Sequence, residues 1–138
     1  MWVGVSKSRE IVRIDPRTNK VAGTLTIPGA GCHDLATYGA TLWLARGCVD
    51  AVRPTKIWKI DTRRMKVAAT IEPGGDVGAP AFWRGQLWIL TSRNLISIDR
   101  KTNLVVNRAT IRGPGNAAVA DGTLWVSSSS SLLKLRLN

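Results

Sequence analysis

One tryptophan recurs inside a short apolar run at a nearly regular interval along the chain. The intervals between these tryptophans are 41, 45 and 37 residues, and the runs are Trp2-Val3, Leu42-Trp43-Leu44, Leu87-Trp88-Ile89 and Leu124-Trp125-Val126. After each of the first three runs comes an apolar-Asp step, a polar turn and a β-branched run, the steps being Ile14-Asp15, Ile60-Asp61 and Ile98-Asp99. A period near 40 residues with this content is typical of a four-stranded unit repeated around an axis. The sequence therefore predicts an all-β protein, a β-propeller with one four-stranded blade per repeat.

Chain length and composition are consistent with a folded domain. The chain has 138 residues, of which 44% are hydrophobic, and this is enough for an apolar core. No apolar run approaches the roughly 20 residues of a membrane span. The chain opens with MWVGV, without a basic segment before an apolar run. We therefore expect no signal peptide, no anchor and no membrane partner.

Gly, Pro, Asn and Asp divide each repeat into short strands, which we label a (innermost) to d (outermost). We predict one domain, 1–138, with blade pieces 1–27, 32–71, 79–111 and 117–138. The first piece supplies b, c and d, the next two supply all four strands, and the last supplies a, b and c. The predicted strands are Trp2–Val5, Ile11–Asp15, Val21–Ile27, His33–Tyr38, Leu42–Arg46, Lys56–Asp61, Val67–Ile71, Ala79–Trp83, Leu87–Thr91, Leu95–Asp99, Val105–Ile111, Ala117–Ala120, Leu124–Ser127 and Leu132–Leu137. No window shows a helical apolar period, so no helix is expected.

Three and a half blades leave two bare sheet edges and an uncovered channel, which a soluble protein must cover or pair. The prediction is therefore a partial propeller completed by self-association as a two-fold dimer. Seven blades match the strand count, but the chain starts on b and ends on c, so the phase does not fit. Six blades use three whole repeats per chain, and the Trp2 and Trp125 segments then compete for one position. We favour six over seven, with a piece of a longer propeller as a third possibility.

The segment SREIVRIDPRTNKVAGTLTIPGAGCHDLATYGATLWLA, residues 8–45, resembles a known repeat. It is similar to the repeats of the YVTN-type and virginiamycin B lyase-like (streptogramin lyase) β-propellers. Those repeats have a strand ending in RIDP, a T-N-K-V turn, a T-I strand, a Gly/Pro crossing and an LWVA strand. The resemblance implies a β-propeller fold. The resemblance does not identify an activity, because these repeats occur in enzymes, ligand-binding modules and extracytoplasmic sensor domains alike.

The resemblance also directs attention to His33, the single histidine. The lyase branch has a catalytic histidine at the start of a strand a, and a glutamate closes the following strand b. Here His33 is retained, but Arg46 occupies the acidic position. A cation in place of a carboxylate argues against metal-assisted proton abstraction. We therefore expect a protein that is not an enzyme, with His33 lining the channel mouth, and keep a lyase-like enzyme centred on His33 as the alternative.

Two cysteines, Cys32 and Cys48, begin strand a and end strand b of one predicted hairpin. A two-residue turn at 39–40 places them nearly opposite each other, which is compatible with a disulfide. Two reduced thiols are the alternative. A bridge would imply an oxidising compartment, and together with the family resemblance it favours an extracytoplasmic location. One histidine and two cysteines are too few for a convincing metal site, and we predict neither metal nor cofactor.

Propeller topology places the d-to-a and b-to-c loops on one face, the top. We expect these loops to form a mixed-charge mouth for a small polar ligand or a protein, built from His33, Asp34, Arg46, Asp50, Arg53, Asp76, Arg93, Asn94 and Asn116. The leading functional hypothesis is thus a non-enzymatic β-propeller module for binding or assembly.

The opposite face, the bottom, collects the c-to-d turns and much of the formal charge of +11. Its cations form a predicted basic arc of Arg17, Lys20, Arg63, Arg64, Lys66, Arg100 and Lys101. Such an arc could bind a polyanion. No aromatic residue lies between these cations and no nucleic-acid motif is present, so binding to nucleic acid should be weak and non-specific. The alternative is that the charges only keep exposed hairpins soluble.

The remaining expectation concerns the tryptophans. Trp43, Trp88 and Trp125 share one blade position and are predicted to pack between neighbouring blades. Trp58 and Trp83 break this register, and an exposed or interface position is predicted for them.

Overall fold

A computed structural model describes residues 1–5, 8–27, 33–46, 55–111, 115–129 and 131–135, with only the backbone of His33 and Arg46. In this part of the chain every regular element is a strand. The strands are β1 (Trp2–Val5), β2 (Glu10–Asp15), β3 (Lys20–Thr26), β4 (His33–Tyr38), β5 (Thr41–Arg46), β6 (Ile57–Asp61), β7 (Lys66–Ile71), β8 (Ala81–Trp83), β9 (Gln86–Leu90), β10 (Asn94–Asp99), β11 (Val105–Thr110), β12 (Ala117–Ala120), β13 (Thr123–Ser127) and β14 (Leu132–Leu135). Each lies where the sequence predicts a strand, and the bounds differ by at most two residues. The predicted end of the last strand, Leu137, lies outside the described residues. The described residues contain no helix that is long and apolar enough to cross a membrane.

The strands form four antiparallel sheets in chain order. Sheet 1 is β1-β2-β3, sheet 2 is β4-β5-β6-β7, sheet 3 is β8-β9-β10-β11 and sheet 4 is β12-β13-β14. The first strands of sheets 2, 3 and 4 contact one another in succession, as the innermost strands of propeller blades do. The predicted fold class, an all-β partial β-propeller, is confirmed.

The turns explain why the chain reverses where it does. The a-to-b turns need positive φ, and Gly39, Gly85 and Gly122 supply it with φ of 57°, 78° and 67°. In the c-to-d turns of sheets 1 and 3, the left-handed position is held by Asn19 and Asn103, at φ of 55° and 62°. Asparagine tolerates this conformation better than most residues.

The carboxylate that opens each c-to-d turn caps it. Asp15 accepts a hydrogen bond from the Arg17 backbone N–H (2.8 Å), and Asp61 accepts one from that of Arg63 (2.9 Å). Asp99 does the same for the Lys101 N–H (2.9 Å). These are local side-chain caps that compete well with extended structure, which is why an apolar-Asp step ends strand c in sheets 1 to 3.

Three apolar cores lie between successive sheets. The core between sheets 1 and 2 includes Ile11 and Leu44, the core between sheets 2 and 3 includes Trp43 and Ile89, and the core between sheets 3 and 4 includes Trp88.

The predicted exposure of two tryptophans is wrong. Trp58 is 6% exposed and belongs to the first core, while Trp83 is 5% exposed and belongs to the third. The Trp83 indole N–H donates to the Gly122 carbonyl (2.7 Å) of the next sheet, so its polar edge is satisfied inside an inter-sheet contact.

Candidate assembly interface and predicted binding residues

Each sheet has two different faces, and the repeat tryptophan marks one of them. We call the face with Trp2, Trp43, Trp88 or Trp125 the tryptophan face, and the other, with Val3, Leu44, Ile89 or Val126, the aliphatic face. The tryptophan face of each sheet packs against the aliphatic face of the next, as Trp43 of sheet 2 does against Leu87 and Ile89 of sheet 3. The chain thus contains three copies of one kind of interface.

Within the described residues, no sheet covers the tryptophan face of sheet 4. Trp43 and Trp88 are 0% and 5% exposed, whereas Trp125 at the same position is half-buried. The residue at the start of strand c gives a sharper contrast. It is Ile11, Ile57 and Leu95 in sheets 1 to 3, at 0%, 0% and 1% exposure, but Leu132 in sheet 4 is 66% exposed. The prediction that Trp125 is a core residue is therefore only half fulfilled. Trp2, which packs against sheet 2, is also half-buried, so it is Leu132 that distinguishes the face of sheet 4 from the others.

In the part of the chain that the structure describes, no sheet covers the aliphatic face of sheet 1 either. Leu44, Ile89 and Val126 are each 0% exposed, but Val3 at the equivalent position is 37% exposed. Val21, on the same face of sheet 1, is 64% exposed. The two open faces are therefore the two complementary halves of the interface that the chain uses internally three times.

A lysine crosses one of the internal interfaces. Lys59 lies directly opposite Trp43 on the tryptophan face of sheet 2, with its ammonium 5.3 Å from the indole centroid. This ammonium donates to the Arg100 carbonyl (2.6 Å) and to the Asn103 side-chain oxygen (3.1 Å), both in the c-to-d turn of sheet 3. Hydrogen bonds from a charged donor are the stronger kind. The contact joins the strand c of one sheet to the turn of the next.

Seven of the nine predicted top-face residues lie among the described residues, at strand ends or in the connections between strands. His33 and Arg46 are directly opposite each other in the β4–β5 ladder, at the top end of that hairpin, and Asp34 is half-buried beside them. Arg93 and Asn94 lie at the β9–β10 turn. Asp50 and Arg53 lie outside the described residues, as do Cys32 and Cys48.

Two of the top-face side chains connect loops. The Asn116 side-chain oxygen accepts from the Ala79 backbone N–H (2.9 Å), joining the crossings that lead into sheets 3 and 4. The Asp76 carboxylate accepts from the Thr55 hydroxyl (3.2 Å). These bonds give Asn116 and Asp76 a structural role in fixing the top surface. Among the described residues, no three His, Cys, Asp or Glu side chains are grouped to hold a metal ion.

The basic arc at the bottom is interrupted by carboxylates. Each c-to-d turn begins with an aspartate, which is followed by two or three of the seven cations. These aspartates are Asp15, Asp61 and Asp99. The Arg64 backbone N–H lowers the pKa of Asp61, and the Thr102 backbone N–H lowers that of Asp99, so both are ionised at neutral pH. The Arg64 guanidinium also pairs with Asp61 (3.0 Å).

Arg100 is the one member of the arc that is half-buried, with its guanidinium 4.6 Å from the Tyr38 ring centroid. The arc therefore carries less free positive charge than the sequence suggests.

The fold is shared with solved structures at low sequence identity. The chain is similar to BamB from Moraxella catarrhalis (TM-score 0.68, 10% identity, 92% of this chain and 37% of that one). It is also similar to the dihydro-heme d1 dehydrogenase NirN in complex with DHE (TM-score 0.72, 14% identity, 99% and 32%) and to Kuenenia stuttgartiensis hydrazine synthase (TM-score 0.69, 13% identity, 97% and 45%). No protein-family model and no curated protein matches the chain.

These likenesses support a propeller fold and do not single out the YVTN or lyase-like family. The chain spans between 32% and 45% of the length of these three structures. The solved propellers are thus much longer chains than this one, which agrees with the open faces at sheets 1 and 4.

Proposed function

We propose that this chain is a non-enzymatic β-propeller module that functions by assembly, with further blades covering its two open faces. The observation that carries the proposal is the exposure of Leu132 (66%), where Ile11, Ile57 and Leu95 are buried by the next sheet. Fully burying a leucine side chain contributes about 1.5–3 kcal/mol. An apolar face built to the same pattern as three packed faces has a strong tendency to be covered.

Backbone edges support the same proposal. In the described residues sheets 1 and 4 have three strands, one fewer than sheets 2 and 3, so β1 and β14 lie at edges where the four-stranded sheets carry a further strand. An unpaired edge is a template for another strand, and β14 carries no proline to block it. Leu133, at 40% exposure, adds apolar surface beside that edge.

Assembly would also complete the top surface. In a closed ring the top loops of all sheets surround one channel, and the predicted mouth of polar and charged residues becomes continuous. We propose a small polar ligand or a protein as what this mouth binds. The loop-to-loop bonds of Asn116 and Asp76 would hold its rim in place.

Sedimentation equilibrium at protein concentrations between about 1 and 100 µM tests the assembly function. The chain has a mass of 15.0 kDa, so we expect a species of twice that mass or more. Leu132→Glu, which places a charge on the open face, should shift the population towards monomer. The matched control is Leu104→Glu, since Leu104 is 64% exposed but lies in the c-to-d turn of sheet 3. A monomer throughout, or equal effects of both variants, would contradict the proposal.

The enzymatic alternative is tested separately. A streptogramin-type cyclic depsipeptide with added magnesium should show no turnover, and His33→Ala should change nothing. Turnover that His33→Ala abolishes would replace the assembly function with the lyase-like one.

A further inference from the structure

The c-to-d turn of sheet 1 repeats the turn that binds Lys59. Residues 15–19 read DPRTN and residues 99–103 read DRKTN, so Pro16 corresponds to Arg100 and Asn19 to Asn103. The two asparagines have nearly the same backbone conformation, with φ of 55° and 62°. Asn103, contacted by Lys59, is half-buried, whereas Asn19 is exposed. Sheet 1 therefore presents the same pair of acceptor oxygens without a lysine on them in the described residues.

The matching donor lies at the other open face. Lys134 is directly opposite Trp125 on the tryptophan face of sheet 4, as Lys59 is opposite Trp43 on sheet 2. The ammonium-to-indole distances are 5.4 Å and 5.3 Å. Lys59 is half-buried and hydrogen-bonded to the next sheet, whereas Lys134 is exposed. Donor and acceptor halves of one contact thus stand on the two uncovered faces.

The interface between sheets 1 and 2 shows that this pairing is selective. There the residue opposite the tryptophan is Arg13, which donates back to the Ala22 carbonyl (3.3 Å) of its own sheet. The turn position of Asn103 is taken by Met65, whose methyl carbon is 3.2 Å from where a Cβ on Gly23 would lie. A turn without the amide oxygen thus meets a sheet that offers no lysine. By the same pattern, Asn19 in the turn of sheet 1 should be matched by a lysine on the tryptophan face that packs against sheet 1.

We propose that a second copy of this chain covers the open face, with its Lys134 donating to the Pro16 carbonyl and the Asn19 side-chain oxygen. The tryptophan face of sheet 4 then packs on the aliphatic face of sheet 1 of the other copy. This inference rests on the proposed assembly function and names the partner and the contact. The copies join head to tail, a mode that forms a ring if the rotation closes.

Two copies close this ring with whole sheets. The described residues form four sheets, so two copies of them have eight, within the usual range of about four to eight blades. Three copies would exceed that range. The ring differs from the predicted six or seven blades because sheets 1 and 4 both remain formed, and neither the Trp2 nor the Trp125 strand has to leave its sheet.

Matched lysine variants test the contact. Lys134→Met removes the ammonium and keeps the apolar stem, and Lys59→Met does the same at the internal interface. Because hydrogen bonds to a charged group contribute about 1.5–3 kcal/mol and the closed dimer contains this contact twice, Lys134→Met should weaken dimerisation about 100- to 10,000-fold. Its unfolding midpoint in dilute solution should not change. Lys59→Met should lower that midpoint and leave the association constant of the folded chain unchanged.

Asn19→Gly tests the acceptor, since glycine keeps the positive φ and removes the amide. It should weaken association by a smaller factor than Lys134→Met, since the Pro16 carbonyl remains as an acceptor. The double variant should associate no more weakly than Lys134→Met alone, because the two residues act on one contact. An equimolar mixture of the Lys134→Met and Asn19→Gly chains should associate more tightly than the Lys134→Met chain alone. In the mixed dimer one interface keeps both Lys134 and Asn19.

The outcomes separate the two proposals. A wild-type chain that stays monomeric overturns both. A wild-type chain that associates, with unchanged affinity in Lys134→Met or with additive effects in the double variant, overturns the Lys134–Asn19 contact and leaves the assembly function standing.

Discussion

Replacing Trp43 measures how much one inter-sheet core contributes to stability. Trp43 is 0% exposed and lies between sheets 2 and 3, with Phe82 edge-on at 5.9 Å and the Lys59 ammonium 5.3 Å above the ring. Removing a fully buried tryptophan to alanine costs about 3–5 kcal/mol, since transfer and cavity terms add. At about 3–4 °C per kcal/mol for a chain of this size, the melting temperature should fall by roughly 9–20 °C.

The matched comparison is Trp125→Ala, at the same repeat position on the open face. In dilute solution, at concentrations below the dissociation constant of the assembly, it should cost less than about 1.5 kcal/mol because the ring is already partly solvated. Urea unfolding followed by far-ultraviolet circular dichroism would give both values. Equal losses for the two variants, or a loss below about 1 kcal/mol for Trp43→Ala, would refute the assignment of the two faces.

Trp43→Phe is a second variant, for the case in which the Trp43→Ala chain does not fold. Domains are stable by only about 5–15 kcal/mol, so the alanine variant could leave little margin. Within the described residues, the buried Trp43 indole N–H has no hydrogen-bond acceptor. Phenylalanine removes this unpaired donor, whose burial costs about 1–3 kcal/mol. We therefore expect Trp43→Phe to cost much less than Trp43→Ala.

Three further predictions concern the turns and the polar interior. The pKa of Asp99 is lowered below its usual 3.8 chiefly by the Thr102 backbone N–H, so its contribution is present above that pH and lost as pH falls through the lower folded value. Thermal melting from pH 5 to pH 2 should show this loss, and Asp99→Asn should flatten it. Asn107→Ala removes the 2.7 Å hydrogen bond to the fully buried Ser97 hydroxyl and should cost about 1–2 kcal/mol in urea unfolding. Binding to duplex DNA or heparin should be weak at low salt and fall log-linearly with salt, and Arg63→Glu with Arg64→Glu should remove it; tight binding at physiological salt would contradict the interrupted arc.

The strands and turns were predictable because their signals are local. Period-2 alternation and a terminal aspartate mark Ile60-Asp61 without any knowledge of its neighbours, and the structure ends β6 there. Two-residue turns require positive φ, and residue pairs that adopt it readily, such as Asp121-Gly122, can be recognised in the sequence. The order of sheets follows from the order of repeats, because each blade is a meander of sequential strands.

Burial was less predictable because it depends on the neighbouring sheet. Trp83 falls outside the tryptophan repeat, yet it is buried because the Gly122 carbonyl of sheet 4 receives its N–H. Trp125 falls within the repeat, yet it is half-buried because no following sheet covers it in the described residues. Periodicity reports the position of a residue in its own blade. Whether that position is covered is a property of the next blade.

The Lys59 contact could have been found from sequence only by aligning the repeats on their tryptophans. That alignment places Arg13, Lys59, Ser97 and Lys134 opposite the tryptophan, and Asn19, Met65 and Asn103 at the left-handed turn position. Each column looks variable by itself. The link between Lys59 and Asn103 becomes visible only when strand c of one sheet is compared with the c-to-d turn of the next sheet.

This variation also provides specificity between nearly identical repeats. If sheet 4 packed on sheet 2, Lys134 would face the turn that holds Met65, which has no side-chain oxygen, and its ammonium would be desolvated without the amide acceptor that Asn19 offers. Such a penalty disfavours the wrong pairing even though the apolar surfaces are alike. On sheet 1 the same lysine meets Asn19 and a free carbonyl. The repeated sheets are alike in shape, so a few polar positions determine which sheet packs against which. Substitutions at these positions should alter assembly without altering the fold.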